Sequence, residues 1–216
     1  STQSRSSAAS DVYKRQRMYF TSNRAGGYGS YDIWYSNKSG SAWGAATNLG
    51  SAVNTSDAEQ QPSLNTNGTI LYFASNRSGG YGGFDIYSTT YSGGAWQTPV
   101  NLGFRVNTAS DELAPSISSD GNRLYFQSNR GGGSGGTDIW VSERVGGVWQ
   151  PAYNVGSVIN SSLNEQNPHV GAGDVVLYWN VANKSGGVGG NDIWFSNNPS
   201  AGVTPTSLGR VKVLLK

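Results

Sequence analysis

Short runs of apolar and β-branched residues, each bounded by Gly, Asn, Ser or Pro, dominate the hydrophobic pattern of the chain. Residues 51–103 contain four such runs, which are QPSLN (61–65), TILYFAS (69–75), FDIYSTTY (84–91) and AWQTPVNLG (95–103). Short runs between turn residues are typical of antiparallel strands joined by hairpins. Since no segment carries a sustained apolar stripe at i, i+3, i+4 and i+7, the pattern predicts no amphipathic helix.

The same set of runs recurs along the chain. An Asp that opens the third run returns at intervals of 53, 53 and 54 residues, as Asp32, Asp85, Asp138 and Asp192. Aromatic residues upstream keep a spacing of 53, as Phe20, Phe73, Phe126 and Trp179. A repeated four-strand unit predicts an all-β fold, a β-propeller of four-stranded antiparallel blades. We place a partial blade one at 17–50, blades two to four at 51–103, 104–156 and 157–209, and a strand-like tail at 210–216.

A Gly-rich segment precedes each of these aspartates, as in SNRSGGYGGFD (75–85). A phosphate-binding loop would lead from a strand into a helix. Because another strand-like run follows each copy, we interpret the segment as a structural hairpin. The aspartates are expected to accept hydrogen bonds from N–H groups of the loop and to pair with a basic residue across the hairpin. The basic residues are Arg24, Arg77, Arg130 and Lys184.

The segment PSISSDGNRLYFQSNR (115–130), followed by TDIWVS (137–142), resembles the WD40-like propeller repeat of the TolB type. The resemblance extends over residues 17–209. Similar blades occur in outer-membrane proteins of Bacteroidetes-type bacteria, often ahead of a peptidoglycan-anchoring domain. The resemblance implies a periplasmic, secreted or outer-membrane-associated protein whose partners are other envelope proteins, peptidoglycan or other glycans. It implies a fold more than a function, because such repeats serve scaffolds, receptors and the non-catalytic halves of peptidases alike.

Both ends depart from the repeat. Residues 6–16, SSAASDVYKRQ, resemble the translation of a sequencing adapter, so we expect residues 1–16 to be a non-native or disordered leader on a reading frame from a metagenome. A genuine polar leader is the alternative. The tail RVKVLLK (210–216) could return as the innermost strand of blade one and close a four-bladed ring. However, it lacks the Glu and Pro of that strand, which favours a piece of a larger propeller, with open blade edges available for self-association.

Composition narrows the classes of function. The formal net charge is +2 and only 13% of residues are charged, which indicates no nucleic-acid-binding surface. No run of about 18 apolar residues occurs, so no membrane span is predicted. The lack of cysteine excludes disulfides, thiolate metal sites and a Cys nucleophile.

Three glutamates, Glu59, Glu112 and Glu165, each stand three residues before a proline at the start of the innermost run. In a propeller they should lie near one mouth of the central channel. Other candidates for this mouth are Asn54, Asn107, Asn160, Asp57, Asp111 and His169. Oxygen ligands from several blades would suit a hard cation such as Ca²⁺, and no other cofactor is expected. The alternative is structural, with each Glu bonded to N–H groups of its own loop or to a neighbouring blade.

Trp43, Trp96 and Trp149 begin the outermost run of three successive units. Their fixed position favours packing between blades over an exposed platform for sugars.

The symmetry of the repeats favours a non-catalytic propeller that binds protein or another ligand, or acts as a scaffold, over an enzyme. The alternative is a carbohydrate-binding or glycan-active propeller, similar to a glycoside hydrolase, that uses the glutamates at the channel mouth. Hydrolysis requires two carboxylates in different environments. The three glutamates share one sequence context instead, which counts against this alternative.

Overall fold

The computed structural model describes residues 17–187, 190–197 and 208–210. Four antiparallel sheets are arranged as a four-bladed β-propeller, which confirms the predicted fold class. The predicted leader (1–16) and the end of the tail (211–216) lie outside the described residues. Within the described ranges, no helix is long and apolar enough to cross a membrane.

The blades follow one plan, in which strands run outward from the channel in chain order. Blade one has β1 (Arg17–Ser22), β2 (Asp32–Ser39), β3 (Ala42–Trp43) and β4 (Thr47–Asn48). Blade two has β5 (Glu59–Leu64), β6 (Ile70–Ser75), β7 (Asp85–Ser92), β8 (Ala95–Trp96) and β9 (Val100–Asn101). Blade three has β10 (Glu112–Ile117), β11 (Arg123–Ser128), β12 (Asp138–Val145), β13 (Val148–Trp149) and β14 (Tyr153–Asn154). Blade four has β15 (Glu165–Val170), β16 (Val176–Ala182), β17 (Asn191–Asn197) and β18 (Leu208–Arg210).

The predicted outermost strand, AWQTPVNLG in blade two, is two short strands rather than one. Both β8 and β9 pair with β7, but the chain between them leaves the ladder. Pro99 in this gap has no N–H to donate. The hydroxyl of Thr89, on β7, instead donates a hydrogen bond to the carbonyl of Gln97 in this gap. The segment between β8 and β9 is therefore still attached to β7.

Blade four differs from the others at two places. β16 is one residue longer than β6 and β11, and its extra residue, Ala182, pairs with Asn191. This insertion accounts for the last repeat interval of 54 residues. The last strand of blade four, β18, extends from Leu208 to Arg210, across the boundary predicted between this blade and the tail, and it pairs with β17. Arg210 therefore belongs to the outer part of blade four, and this part of the tail does not form the innermost strand of blade one.

The innermost strands β5, β10 and β15 contact one another in order around the channel, and β1 contacts β5. Each contains a bulge at a residue with positive φ, at Gln61 (54°), Ala114 (51°) and Asn167 (50°). A proline follows each of these residues. The bulge turns a backbone N–H out of the sheet ladder and towards a neighbouring blade.

Three apolar clusters form the core, and each one joins two successive blades. The first, for example, combines Ile33 of blade one with Leu71, Phe73 and Trp96 of blade two. Burial of a large apolar side chain contributes about 1.5–3 kcal/mol, so the stability of the propeller depends on contacts between blades as well as on the sheets.

The propeller presents two faces. The Gly-rich loops 23–31, 76–84, 129–137 and the start of each innermost strand lie on one side, which we call the loop face. The turns that join each innermost strand to the next strand, at 65–69 and 118–122, lie on the opposite side. The candidate residues Arg24, Arg77 and Arg130, which belong to these Gly-rich loops, therefore lie on the loop face.

Candidate functional site

Each of the three glutamates is the first residue of an innermost strand, and each is completely buried. Glu59 accepts hydrogen bonds from the Thr55 amide (2.8 Å) and the Thr55 hydroxyl (2.7 Å). It also accepts bonds from the Ser75 hydroxyl (3.0 Å) and from Nη2 of Arg77 (3.0 Å). Both carboxylate oxygens of Glu59 are thus engaged inside the protein.

The same arrangement recurs in blade three. Glu112 accepts bonds from the Thr108 amide (2.7 Å) and hydroxyl (2.6 Å), from the Ser128 hydroxyl (3.0 Å) and from Nη2 of Arg130 (2.9 Å). The two blades therefore hold their glutamates in one geometry, as two copies of a structural unit would.

Blade four has a weaker version of this unit. The Ser161 amide donates to Glu165 at 3.0 Å and its hydroxyl at 2.5 Å. However, Val181 stands opposite Glu165, where the other blades have a serine. Lys184 approaches the carboxylate only to 3.9 Å. Glu165 therefore lacks the serine hydrogen bond that Glu59 and Glu112 accept, and its ion pair is longer than theirs.

The structure corrects the predicted pairing of the basic residues with the hairpin aspartates. Arg77 and Arg130 pair with the glutamates of their own blades. The Arg77 side chain lies over the rings of Phe73 and Tyr87, which directs it towards the innermost strand. Burial lowers the pKa of Arg130, and Glu112 opposes this effect by stabilising the cation. In each buried pair the two opposite charges therefore compensate each other, whereas either charge alone would be costly to bury.

The hairpin aspartates accept hydrogen bonds from the Gly-rich loops, as predicted. Asp32 accepts a bond from the Tyr28 amide (2.7 Å) and Asp85 from the Tyr81 amide (2.6 Å). Asp138 accepts one from the Ser134 amide (2.7 Å). Asn48 and Asn101, of the recurring Asn-Leu-Gly sequence, donate to Asp32 and Asp85 at 3.2 Å. The aspartates thus hold the loops in shape.

The Gly-rich loops also pack directly on the next blade. A Cβ atom on Gly82 would lie 2.1 Å from the Ser110 carbonyl oxygen, and one on Gly135 would lie 1.9 Å from that of Leu163. A Cβ atom on Gly29 would likewise lie 1.9 Å from the carbonyl oxygen of Asp57. These glycines are required because only a residue without a side chain permits the backbone of the following loop to come so close. The Gly-rich sequence is therefore explained by the packing of blades.

Asn54, Asn107 and Asn160 are buried in the loops that connect successive blades. Asn54 bonds both the N–H and the carbonyl of Ile33 (2.9 Å each), and Asn107 does the same with Ile86. Asn160 bonds Ile139 in this way. These amides attach each connecting loop to the preceding blade, at β2, β7 or β12.

Asp57, Asp111 and His169 occupy three different environments. Asp111 accepts a hydrogen bond from the Phe84 amide of the preceding blade (2.8 Å). Asp57 is half-buried in the loop before β5, and His169 is exposed on β15. Within the part of the chain that the structure describes, acidic and His side chains do not gather in groups of three that could hold a metal ion. The Ca²⁺ site stays untested, and the internal bonds of Glu59 and Glu112 favour the structural alternative.

Sequence analysis did not single out a second set of residues that join the innermost strands. The bulge amide of Ala114 donates to Oε1 of Gln61 (2.8 Å), and that of Asn167 donates to Oε1 of Gln127 (2.7 Å). The hydroxyls of Ser63 and Ser116 accept bonds from the N–H groups of Ile117 and Val170 in the next blade. Only the serines carry a repeat signal, at a spacing of 53 residues, and His169 replaces them in blade four.

The tryptophans pack backwards onto the preceding blade. Trp96 makes an edge contact with Tyr19 of blade one, and Trp149 makes the same contact with Tyr72 of blade two. Both indoles are buried, as predicted for packing between blades. Trp43 of blade one is 47% exposed. On the Gly-rich loops of the loop face, Tyr28, Tyr31 and Tyr81 are exposed instead.

No protein-family profile and no curated protein matches the sequence. Solved structures with the same architecture do match. A putative TolB from Agrobacterium tumefaciens superposes with a TM-score of 0.59 at 16% identity, over 90% of this chain and 62% of that chain. At this identity the match shows the fold alone, which is a β-propeller. The chain thus spans 62% of the length of this TolB.

Two glycoside hydrolases share the fold as well. An α-L-arabinofuranosidase from Lactobacillus brevis has a TM-score of 0.55 at 9% identity, over 84% of this chain and 69% of that chain. A thermostable family-43 glycoside hydrolase has a TM-score of 0.54 at 13% identity, over 91% of this chain and 74% of that chain. At these identities the likeness concerns architecture, which hosts both non-enzymes and enzymes.

Proposed function

We propose that this chain is a non-catalytic propeller module that binds a protein or another ligand and serves as a scaffold in the bacterial cell envelope. The observation that supports this function is the state of the glutamates. Glu59 and Glu112 are completely buried, bonded by the same four groups and neutralised by an arginine. A glycosidase needs an acid and a base or nucleophile in different environments beside its substrate. Two equivalent, buried and paired carboxylates do not supply that difference.

The loop face is the surface best suited to a partner. Tyr28 is 53% exposed and Tyr81 is 52% exposed, and both project from Gly-rich loops whose backbone is fixed by an aspartate. Tyrosine is enriched at protein interfaces, because it supplies contact area at a small cost in conformational entropy. Rigid loops that carry exposed tyrosines are therefore good candidates for contact residues.

The envelope location rests on the TolB-type architecture and on the TolB-like repeat words in the sequence. On this proposal the protein is periplasmic, secreted or associated with the outer membrane, and its partners are other envelope proteins or peptidoglycan.

Site-specific photo-crosslinking tests the binding face. A photoreactive phenylalanine analogue replaces Tyr28 or Tyr81, and in the control it replaces Asn67, on a turn of the opposite face. The variants are incubated with a bacterial envelope fraction. We expect discrete adducts from positions 28 and 81 and none from position 67. Equal labelling from all three positions would contradict a binding role for the loop face.

Hydrolysis assays test the non-catalytic part of the proposal. The protein is incubated with chromogenic arabinofuranosides, xylosides and peptides, and we expect no turnover above that of a heat-denatured sample. Turnover that is abolished by Glu59→Gln or Glu112→Gln in a folded variant would establish the glycan-active alternative instead.

Carbohydrate binding without hydrolysis is a second candidate, and the same exposed tyrosines favour it, because sugar rings stack on exposed aromatic side chains. Co-sedimentation with purified peptidoglycan separates it from protein binding. Loss of sedimentation in Tyr28→Ala and Tyr81→Ala, but not in the outer-rim control Tyr91→Ala, would support this candidate.

A further inference from the structure

The connection between blades two and three departs from the repeat at two exposed positions. Phe104 and Arg105 stand where the neighbouring connections have Ser-Ala (51–52) and Ser-Val (157–158). Phe104 is 70% exposed, and the Arg105 guanidinium lies 6.0 Å from the centre of its ring. Because the connections on both sides are built without these residues, the packing of blades does not require them. An exposed aromatic side chain that the architecture does not need is a candidate contact residue.

The hairpin that joins β12 to β13 departs from the repeat on the same blade. Val145 is 62% exposed and Val148 is 53% exposed, and the two residues pair across the hairpin. Blades one and two have Ser and Ala at these positions instead. Gly146 and Gly147 adopt positive φ (58° and 82°), as a tight two-residue hairpin turn requires. The turn therefore holds two apolar side chains next to each other in solvent.

Two arginines connect the Phe104 loop with this hairpin. Nη1 of Arg105 donates a hydrogen bond to the Trp149 carbonyl (3.4 Å), and Nε of Arg144 donates one to the Gly147 carbonyl (3.0 Å). The Arg144 guanidinium also lies 5.6 Å from the centre of the Trp149 ring. The Ala152 amide donates to the Arg105 carbonyl (2.9 Å), which attaches the loop to blade three. Both cations are thus held beside the same short strand, β13.

Neither of these arginines forms an ion pair within the part of the chain that the structure describes. The carboxylate of Glu143, on the same blade, is already paired with Arg123. We use the term blade-three rim for Phe104, Arg105, Arg144, Val145 and Val148. This rim combines exposed apolar area with two positive charges that lack a counter-charge among the described residues.

We propose that the blade-three rim binds an extended acidic segment of a partner protein, in which apolar side chains stand beside the carboxylates. The carboxylates pair with the two arginines, and the apolar side chains cover the phenylalanine and the two valines. Arginine suits this role because its planar guanidinium matches a carboxylate with two parallel hydrogen bonds. The rim is separate from the Gly-rich loops, so this proposal does not depend on binding at the loop face.

A protein partner fits the rim better than an anionic membrane does. Recognition of anionic lipid headgroups typically uses clusters of about four to eight Lys or Arg residues, and the rim has two. The hydrogen bonds of Arg105 and Arg144 to main-chain carbonyls also limit the positions of their guanidinium groups. Fixed cations favour carboxylates at matching positions along a peptide over the mobile charges of a lipid surface.

The test uses the full 216-residue chain and a fluorescent peptide with the sequence Glu-Glu-Leu-Leu-Glu-Glu-Leu-Leu. Since successive side chains of an extended chain point to opposite sides, this pattern places carboxylates and apolar groups on both sides. Matched peptides replace every Glu with Gln, or every Leu with Ser. Fluorescence anisotropy measures the affinity, and phosphatidylglycerol vesicles replace the peptide in a parallel measurement.

The protein variants restore the sequence of neighbouring repeats, so they should remain folded, which a thermal melt checks. Phe104→Ser combined with Arg105→Ala gives this loop the Ser-Ala sequence of residues 51–52. Arg144→Tyr gives the hairpin the residue of blade two. The matched control is Lys38→Ala, because Lys38 has the position of Arg144 in blade one and also lies over the Trp of its hairpin, at 5.8 Å.

We expect saturable binding of the Glu-Leu peptide with a Kd below about 1 mM. Either matched peptide, the double variant and Arg144→Tyr should each weaken it by at least about tenfold, whereas Lys38→Ala should bind as the parent chain does. The proposal would be overturned by absence of binding up to about 1 mM, by equal affinity for the Gln peptide, or by parental affinity in a folded double variant. Binding to the vesicles that the double variant abolishes would also overturn it, because a membrane would then be the partner.

Discussion

The substitution Glu112→Gln examines the buried ion pair directly. It retains the shape of the side chain and one acceptor oxygen, but it removes the charge beside Arg130, whose side chain is only 9% exposed. Removing one member of a buried pair costs about 3–5 kcal/mol, because the remaining charge is left in the interior. Since the Gln oxygen can still accept the Thr108 amide, we expect a loss of about 2–4 kcal/mol in the free energy of unfolding.

Urea denaturation followed by tryptophan fluorescence measures this loss. With a urea dependence of about 2–3 kcal/mol per M for a chain of this size, the midpoint should fall by about 1 M. The matched control is Glu143→Gln, because Glu143 is 41% exposed and pairs with Arg123 at 3.4 Å on the surface. Such a pair contributes about 0–1 kcal/mol, so the control midpoint should move little.

A second substitution in the same unit provides the test that can refute the reasoning. If the cost arises from a stranded cation, Glu112→Gln combined with Arg130→Met should recover about 1–3 kcal/mol relative to Glu112→Gln alone. If the double variant is less stable than the single one, the cation is not the cause of the loss. If Glu112→Gln moves the midpoint no further than Glu143→Gln, the buried pair is not a stabilising unit.

Three further predictions follow from the site and its surroundings. Gly135→Ala should destabilise the protein by about 2–4 kcal/mol, because its Cβ atom would lie 1.9 Å from the Leu163 carbonyl oxygen. Thermal melts measure this loss. The control is Gly131→Ala in the same loop, which should be tolerated because its Cβ atom would meet nothing within 4 Å. Burial raises the pKa of Tyr125 from 10.0 to about 12. The associated stability is present below pH 10 and is lost as the pH rises through 12, by about 2–3 kcal/mol. Tyr125→Phe should therefore flatten this decline in pH-dependent melts. Addition of Ca²⁺ should leave the melting temperature unchanged, because the carboxylates of Glu59 and Glu112 are already bonded internally; a rise that Glu59→Gln abolishes would instead establish a cation site.

The repeat period determined the fold from sequence, because strands bounded by turn residues at a fixed spacing leave few architectures other than a propeller. The hydrogen bonds from the loop to Asp85 were also predictable, since an aspartate beside a Gly-rich turn has nearby N–H groups to accept. The partner of Arg77, in contrast, could not be predicted from the sequence. Its ring contacts with Phe73 and Tyr87 direct it to the innermost strand, and that direction depends on packing between two strands.

The bridging role of Gln61 was invisible to sequence reasoning for a related reason. Its side chain accepts the Ala114 amide of the next blade, whereas the corresponding acceptor for Asn167 is Gln127, on a different strand. The acceptor therefore changes position from one blade to the next, and no repeated residue type marks it. A periodic sequence reports contacts that every copy makes, and it conceals those that copies make in different ways.

The backward contacts of Trp96 and Trp149 have a consequence for how repeat proteins of this kind gain units. Trp96 contacts Tyr19 and Trp149 contacts Tyr72, so the junctions of blades one and two and of blades two and three each join the outer edge of one unit to the inner part of the unit before it. These two junctions have a direction, like the head-to-tail bond of a linear polymer, and both use the same two surfaces. Tandem duplication of a 53-residue segment would thus create a new unit that already fits both neighbours. Lineages can change the number of units without inventing an interface, and the geometry of ring closure is what sets the limit.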